Sequence, residues 1–166
     1  MREIVDCFLP DFDREAMSST VAQLQESQVV RQIFWTEGMT SSNTVMAMAE
    51  KARAEYVLLF TKPTPVTLGQ GALQRLTRVA TDTGAALVYA DREGHPAIDY
   101  QLGAIRDDFD FGSLLLIRTR LLHTFAMQAG EHDYQYAGLY ALRLFLSREG
   151  QLVHLHEALY KEVELD

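Results

Sequence analysis

The chain has 166 residues, 48% hydrophobic and 23% charged, which is the composition of an ordinary soluble globular protein and a length suited to one domain with a single core. Fifteen Lys and Arg stand against 23 Asp and Glu, so the net charge of -8 makes a nucleic-acid backbone a poor partner for the surface as a whole. No apolar run reaches the ~18 residues that would cross a bilayer. The N-terminus, MREIVDCFLP, enters a strand-like pattern at once and lacks a signal peptide's features, so a cytoplasmic location is expected.

Glu3 to Leu9 is apolar and β-branched and stops at Pro10, the pattern of a buried strand. Cys7, the one cysteine, lies inside that run and reads as a core residue rather than a nucleophile. Asp11-Phe12-Asp13 follows as a loop, and the segment from Arg14 to Ser27 spaces Met17, Val21 and Leu24 as an amphipathic helix. Val30 to Thr36 predicts a second strand ended by Glu37-Gly38. Ser41, Ser42 or Asn43 then caps a helix through Val45, Met46, Met48, Ala49 and Ala52. Tyr56 to Phe60 is a third strand, continuous in apolar residues as a sheet covered on both faces requires.

After a loop rich in Thr, Pro and Gly, a helix is expected to bury Leu73, Leu76, Val79 and Ala80, and Ala86 to Ala90 predicts a fourth strand. This grammar predicts repeated βαβ units and a mostly parallel sheet flanked by helices, an α/β fold with polar loops gathered at the carboxyl ends of the strands. Gly94 to Asp110 has no clear periodicity, and a loop of that length is usually functional. Phe111 to Arg118 is another strand, Thr119 to Gly130 and Tyr136 to Arg148 are helical, and the tail carries two short β-like runs, Leu152 to Leu155 and Leu159 to Val163.

Three constellations carry chemistry, each with a plainer reading beside it. Asp91-Arg92-Glu93 leaves a buried strand as an acid-x-acid pair, which suits a hard divalent ion but equally suits a polar turn. Asp107, Asp108 and Asp110 offer a base or sugar-binding carboxylates, or else cap backbone amides in a turn. His154-x-His156 places two imidazoles on one face of a strand, a metal-compatible geometry without an identifiable third ligand, and the alternation reads first as a half-exposed strand. His95, His123 and His132 are isolated. No nucleotide-binding glycine fingerprint, phosphate loop, nucleophile elbow or zinc-protease motif is present, and Gly69-Gln70-Gly71 alone is a weak signal.

The order of strand, Pro-Asp loop, helix, strand with acid-Gly turn, helix, AEYVLLF, Thr/Pro loop and LGQGALQRL resembles the family 2 glycosyltransferases, in which the matching text runs along the lines of YVLLLDDDTxLxPGALxxL. The later pieces AIDYQLGAIRDDFDFGSLLLIRTRLL and YAGLYALRLFLSREG are similar to a bacterial branch of that family, in which the last helix usually reads YDLRL and the chain often continues beyond this point. The resemblance implies a single nucleotide-diphospho-sugar transferase-like domain, with a nucleotide-binding half over 1–93 and an acceptor half over 94–166. It implies a nucleotide-sugar donor, a glycan acceptor, and Mn2+ or Mg2+. By position, Pro10 and Asp11 would meet the nucleobase, and Glu37 with Gly38 would lie by the ribose and base.

The chain departs from the family pattern at the chemistry. The metal-binding aspartates are replaced by Thr61-Lys62-Pro63, the family's acidic base falls near Gly138 and Leu139, and Ala141 replaces the aspartate of YDLRL. Two substitutes are open: Asp91 and Glu93 could hold the ion, or Lys62 could offset diphosphate charge with no metal. Asp91 is then the leading catalytic-site acid, with Asp110 or Asp133 as base. The other expectation is a domain of the same fold that binds a nucleotide, glycan or protein without turnover.

Overall fold

A computed structural model describes residues 3–36, 42–62, 64–93, 113–129 and 138–163. In chain order the elements are β1 (Val5–Pro10), α1 (Ser18–Glu26), β2 (Val30–Thr36), α2 (Ser42–Lys51), β3 (Tyr56–Phe60) and β4 (Val66–Leu68). They continue as α3 (Ala72–Thr83), β5 (Leu87–Arg92), β6 (Leu114–Arg118), α4 (Thr119–Ala129), α5 (Gly138–Glu149) and β7 (Leu152–Glu162). No helix among the described residues is long and apolar enough to cross a membrane.

Every residue of β1 and of β3 is buried, as their near-continuous apolar text demands. They pair in parallel inside a seven-stranded sheet ordered β2-β1-β3-β6-β5-β7-β4, each flanked by a strand on both sides. Alternate side chains feed two cores. Phe8, Val57, Leu59, Tyr89 and Leu115 pack beneath residues of α2, α4 and α5, while Cys7, Leu9, Leu58, Phe60 and Val88 pack beneath α1 and α3. Asp6 is buried in β1 because its carboxylate is fully used. It accepts from Arg31 at 2.8 and 3.1 Å and from the amides of Arg53 and Ala54 at 2.8 and 2.9 Å, tying β2 and the end of α2 to β1.

The parallel units are confirmed for β1, β2 and β3, but the fourth expected strand does not lie beside the third. β6 inserts between β3 and β5 and runs antiparallel to both, while β5 pairs in parallel with β7. Two further differences have physical causes. β1 runs through Pro10, because Asp11 N–H points to Thr36 of β2 and the missing Pro10 donor therefore faces the β3 side, where pairing has ended at Phe8.

The Thr/Pro/Gly loop contains a strand, β4, that the text does not signal. Its backbone is satisfied by β7 on one side and by α1 side chains on the other. Thr20 Oγ1 donates to Val66 O at 3.1 Å and accepts from Val66 N at 3.0 Å. Gln23 bridges Val66 O at 3.0 Å and Leu68 N at 2.7 Å.

The chain leaves β1 toward β2 over one face through α1, then returns over the opposite face through α2 to β3. This reversal makes the carboxyl ends of β1 and β3 a topological switch point, where open α/β sheets leave a crevice. α3 then starts behind Gly71 and closes at Gly84, whose φ of +68° is the left-handed cap that glycine adopts without strain.

Candidate functional site

Asp11, Lys62 and the Asp91-Arg92-Glu93 text all stand at the carboxyl ends of their strands, so the sheet brings the sequence's candidates to one edge. At the β1 end, Asp11 accepts from Arg14 Nε at 2.9 Å and Nη2 at 2.8 Å. That hydrogen-bonded guanidinium holds the Asp11 carboxyl below the usual carboxylate range, and it lies 4.9 Å from the Trp35 ring centroid. Pro10 is buried beneath this turn, while Phe12 beside it is 81% exposed. Glu37, Gly38, Asp107, Asp108, Asp110, Asp133, His95, His132 and Pro63 lie outside the described residues.

The end of β3 meets the start of β6 and the end of β7. Glu162 is the hub: its Oε1 accepts from Arg92 Nη1 at 3.0 Å and from the Ser113 hydroxyl, and lies 4.0 Å from Lys62 Nζ. Partial burial pushes the Glu162 carboxyl up, but the Ser113 and Arg92 hydrogen bonds and the charges of Arg92 and Lys62 outweigh it and hold the group below its ordinary value. Tyr160, one turn of the pleat earlier, has a hydroxyl that accepts from Ser113 N at 2.9 Å. Burial raises its pKa to about 12, so it stays protonated. Lys62 is 41% exposed at its side chain, and both Lys62 and Arg92 reach the Glu162 carboxylate. A solvent-reaching ammonium is a compact point charge of the kind that suits a phosphate.

The other face of the same edge carries a different chemistry. β7 is one strand and not two runs, because two irregularities interrupt its pairing with β5: Ala90 faces Leu155, Asp91 faces Ala158 and Arg92 faces Tyr160. Within the bulged stretch Glu157 reaches Arg75 of α3 at 2.7 Å. His154 stacks on Tyr89 with ring centroids 4.7 Å apart, donates from Nε2 to Asp91 Oδ1 at 2.6 Å, and has the His156 ring 3.9 Å away. Asp91, His154 and His156 each offer a ligand atom, all within 4.8 Å of one another. Glu93 is exposed, uses its amide on Tyr160 O at 2.8 Å, and is not one of the three. His123 is a packing residue whose ring N–H donates to Ala52 O at 3.1 Å.

Arg92, Ser113, Tyr160 and Glu162 are the site residues that sequence reasoning missed. Their one textual signal is Tyr160-x-Glu162 on a single strand face, and only the pairing of β7 with β5 brings it to Arg92 and Lys62. Two grooves lie elsewhere among the described residues. One, about 430 Å³, is lined by Ile4, Val29 and Glu55 at the opposite ends of the strands. The other, about 380 Å³, runs along α1 and the start of α3. The first also carries Arg78 and Asp82, but neither groove lies at the β1–β3 switch point, where open α/β sheets bind their ligands, so the carboxyl edge is the stronger candidate.

No protein-family model and no curated protein matches the sequence. Solved structures do match. The chain is similar to the 4-diphosphocytidyl-2C-methyl-D-erythritol synthase of Anaerococcus prevotii, with a TM-score of 0.55 and 10% identity over 93% of this chain and 89% of that one. It is similar to the mannosyltransferase PcManGT of Pyrobaculum calidifontis, in complex with GDP-Man and Mn2+, with a TM-score of 0.62 and 10% identity over 99% of this chain and 57% of that one. It is also similar to S. aureus TarS 1-349 in complex with UDP-GlcNAc, with a TM-score of 0.59 and 9% identity over 98% of this chain and 59% of that one. The chain therefore spans under two thirds of the two transferases, and at such identities the likeness is one of fold. That fold is nucleotide-diphospho-sugar transferase-like, as the sequence resemblance implies.

A divalent ion bridging the donor phosphates would, by that resemblance, sit just after β3. The residues there do not fit it. Thr61 offers a neutral hydroxyl where a carboxylate is needed, and the next side chain is the Lys62 ammonium, which repels a cation.

Proposed function

We propose that this chain binds a nucleotide-diphospho-sugar at the carboxyl ends of β1 and β3 and moves the sugar to an acceptor hydroxyl, in the setting of bacterial glycan assembly. The observation that carries the reading is Lys62, a solvent-reaching ammonium at the end of β3, beside the switch point where this fold leaves its crevice. Lys62 takes up diphosphate charge in place of a metal ion, and Arg92 offsets the charge of the neighbouring Glu162 carboxylate. Pro10, Asp11, Glu37 and Gly38 receive the nucleoside, and residues 1–93 form the donor half.

In transfer, the acceptor oxygen bonds to the sugar's anomeric carbon as the bond from that carbon to the diphosphate oxygen breaks. The hydroxyl proton passes to Asp110 or Asp133 in the acceptor half, 94–166, with Asp91 as the carboxylate at the end of β5. The second reading, a binding module of the same fold, is favoured by one specific feature: Thr61 and Lys62 stand where the family has metal-binding acids, and Gly138 and Leu139 where it has its base.

A thermal-shift panel of UDP-, GDP- and TDP-sugars, with and without Mn2+, tests the shared donor claim. A rise in melting temperature with one nucleotide supports it, and a flat panel overturns it. Release of free nucleotide diphosphate with an acceptor present separates the transferase from the binding module.

A further inference from the structure

The Asp91–His154–His156 cluster belongs neither to the donor crevice nor to the position after β3, and it has the composition of a metal centre. Two imidazole nitrogens and one carboxylate oxygen lie within 4.8 Å of one another. A tetrahedral zinc ion, with bonds of about 2.0–2.1 Å, needs its ligand atoms about 3.4 Å apart, so the ion takes the place of the proton between His154 and Asp91, opening their 2.6 Å contact, while the wider separations, up to 4.8 Å, close.

The first two ligands are already oriented. His154 is 6% exposed, stacked on Tyr89 at an interplanar angle of 11°, and bonded to Asp91, itself 15% exposed. A ring locked by packing loses little freedom when it binds a metal, which is how preorganised sites gain affinity. His156 is exposed and closes the set from the solvent side.

We propose that Asp91, His154 and His156 bind a borderline first-row divalent ion, Zn2+ first among them, bridging β5 to β7. Imidazole donors select this class over the hard ions Mg2+ and Ca2+, which prefer all-oxygen sites. The irregular register after Ala90 is the structural cause: it sets Asp91 against Ala158 instead of His156, so the second imidazole turns toward the first and not along the strand. This site does not rest on the donor reading, since metal binding is measured with no nucleotide present.

The test is calorimetric titration of Zn2+ into the tag-free, metal-free chain. One ion should bind per chain, Mg2+ should give no heat, and His123→Gln should leave the titration unchanged. His156→Gln removes an exposed ligand with little risk to folding. It should weaken binding by more than about tenfold, since losing even an outer-shell partner costs about 10–100-fold. Asp91→Asn should do the same, and Co2+ loaded in place of Zn2+ should lose its visible d–d bands in His156→Gln. An absence of Zn2+ binding, Mg2+ binding as tight as Zn2+, or binding indifferent to both substitutions would overturn the proposal.

Discussion

Glu162 is the residue on which the two cations of the carboxyl edge converge, and its titration links the site to stability. Its folded pKa lies below the ordinary 4.5, so its charged form stabilises the fold fully above that pH, and the contribution is lost as pH falls through the lower, folded value. In that window the unfolded chain binds the proton first, and stability therefore rises with pH. Urea denaturation below pH 4.5 should show wild type losing stability more steeply than Glu162→Gln, and equal slopes would contradict the pairing with Arg92 and Lys62. Cys7 illustrates the opposite case: burial, then the charge of Asp6, pushes its thiol well above the usual range, which makes it the inert core residue its apolar context predicts. The sequence singled out Asp91 at a strand end and Lys62 by its place in the family resemblance, and it read the two histidines first as a half-exposed strand face. It did not reveal that Asp91 faces His154 while Glu93 does not, because that depends on which strand lies beside β5.

Elements were legible where periodicity was strong. α3, with Leu73, Leu76 and Ala80 inward, and the all-buried β3 fall where their text places them. α1 begins at Ser18, four residues later than its apolar spacing suggests; Asp13 instead turns the preceding loop by accepting from the amide of Ala16 at 3.1 Å. β4 was illegible for a physical reason: a three-residue edge strand owes its existence to Thr20 and Gln23 of α1 and to β7, all distant in sequence. Thr20→Val therefore strips Val66 N–H of its acceptor at a fully buried position, at a cost of about 1–3 kcal/mol. Thr20→Ser keeps the hydroxyl and should cost less. Chemical denaturation decides, and a Val variant within about 0.5 kcal/mol of wild type would show that β4 does not depend on this bond. The single β7 was read as two runs because its bulge breaks the alternation, and the same bulge gathers the histidines.

At the scale of the molecule, the mostly parallel sheet and its helices were legible from the alternation of strand and helix patterns. The insertion of β6 between β3 and β5 was not, since no local text says that a strand reverses direction. That insertion matters: it brings Ser113 to the end of β3, and Glu162 joins Lys62 to Arg92 over a span of four strands, β3-β6-β5-β7. The overall charge of -8 repels an anionic donor at long range, so the proposed binding has to rest on short-range contact with a cation such as Lys62. The central claim is that this edge holds a nucleotide diphosphate through Lys62 without a divalent ion. Calorimetric titration of UDP, GDP and TDP into the chain in the presence of EDTA tests it most directly. One of the three should bind, and Lys62→Ala should abolish or weaken that binding by about tenfold or more, as expected when a charge-assisted contact of about 1.5–3 kcal/mol is removed. Binding that appears only with added Mn2+, or that Lys62→Ala leaves unchanged, would contradict the account.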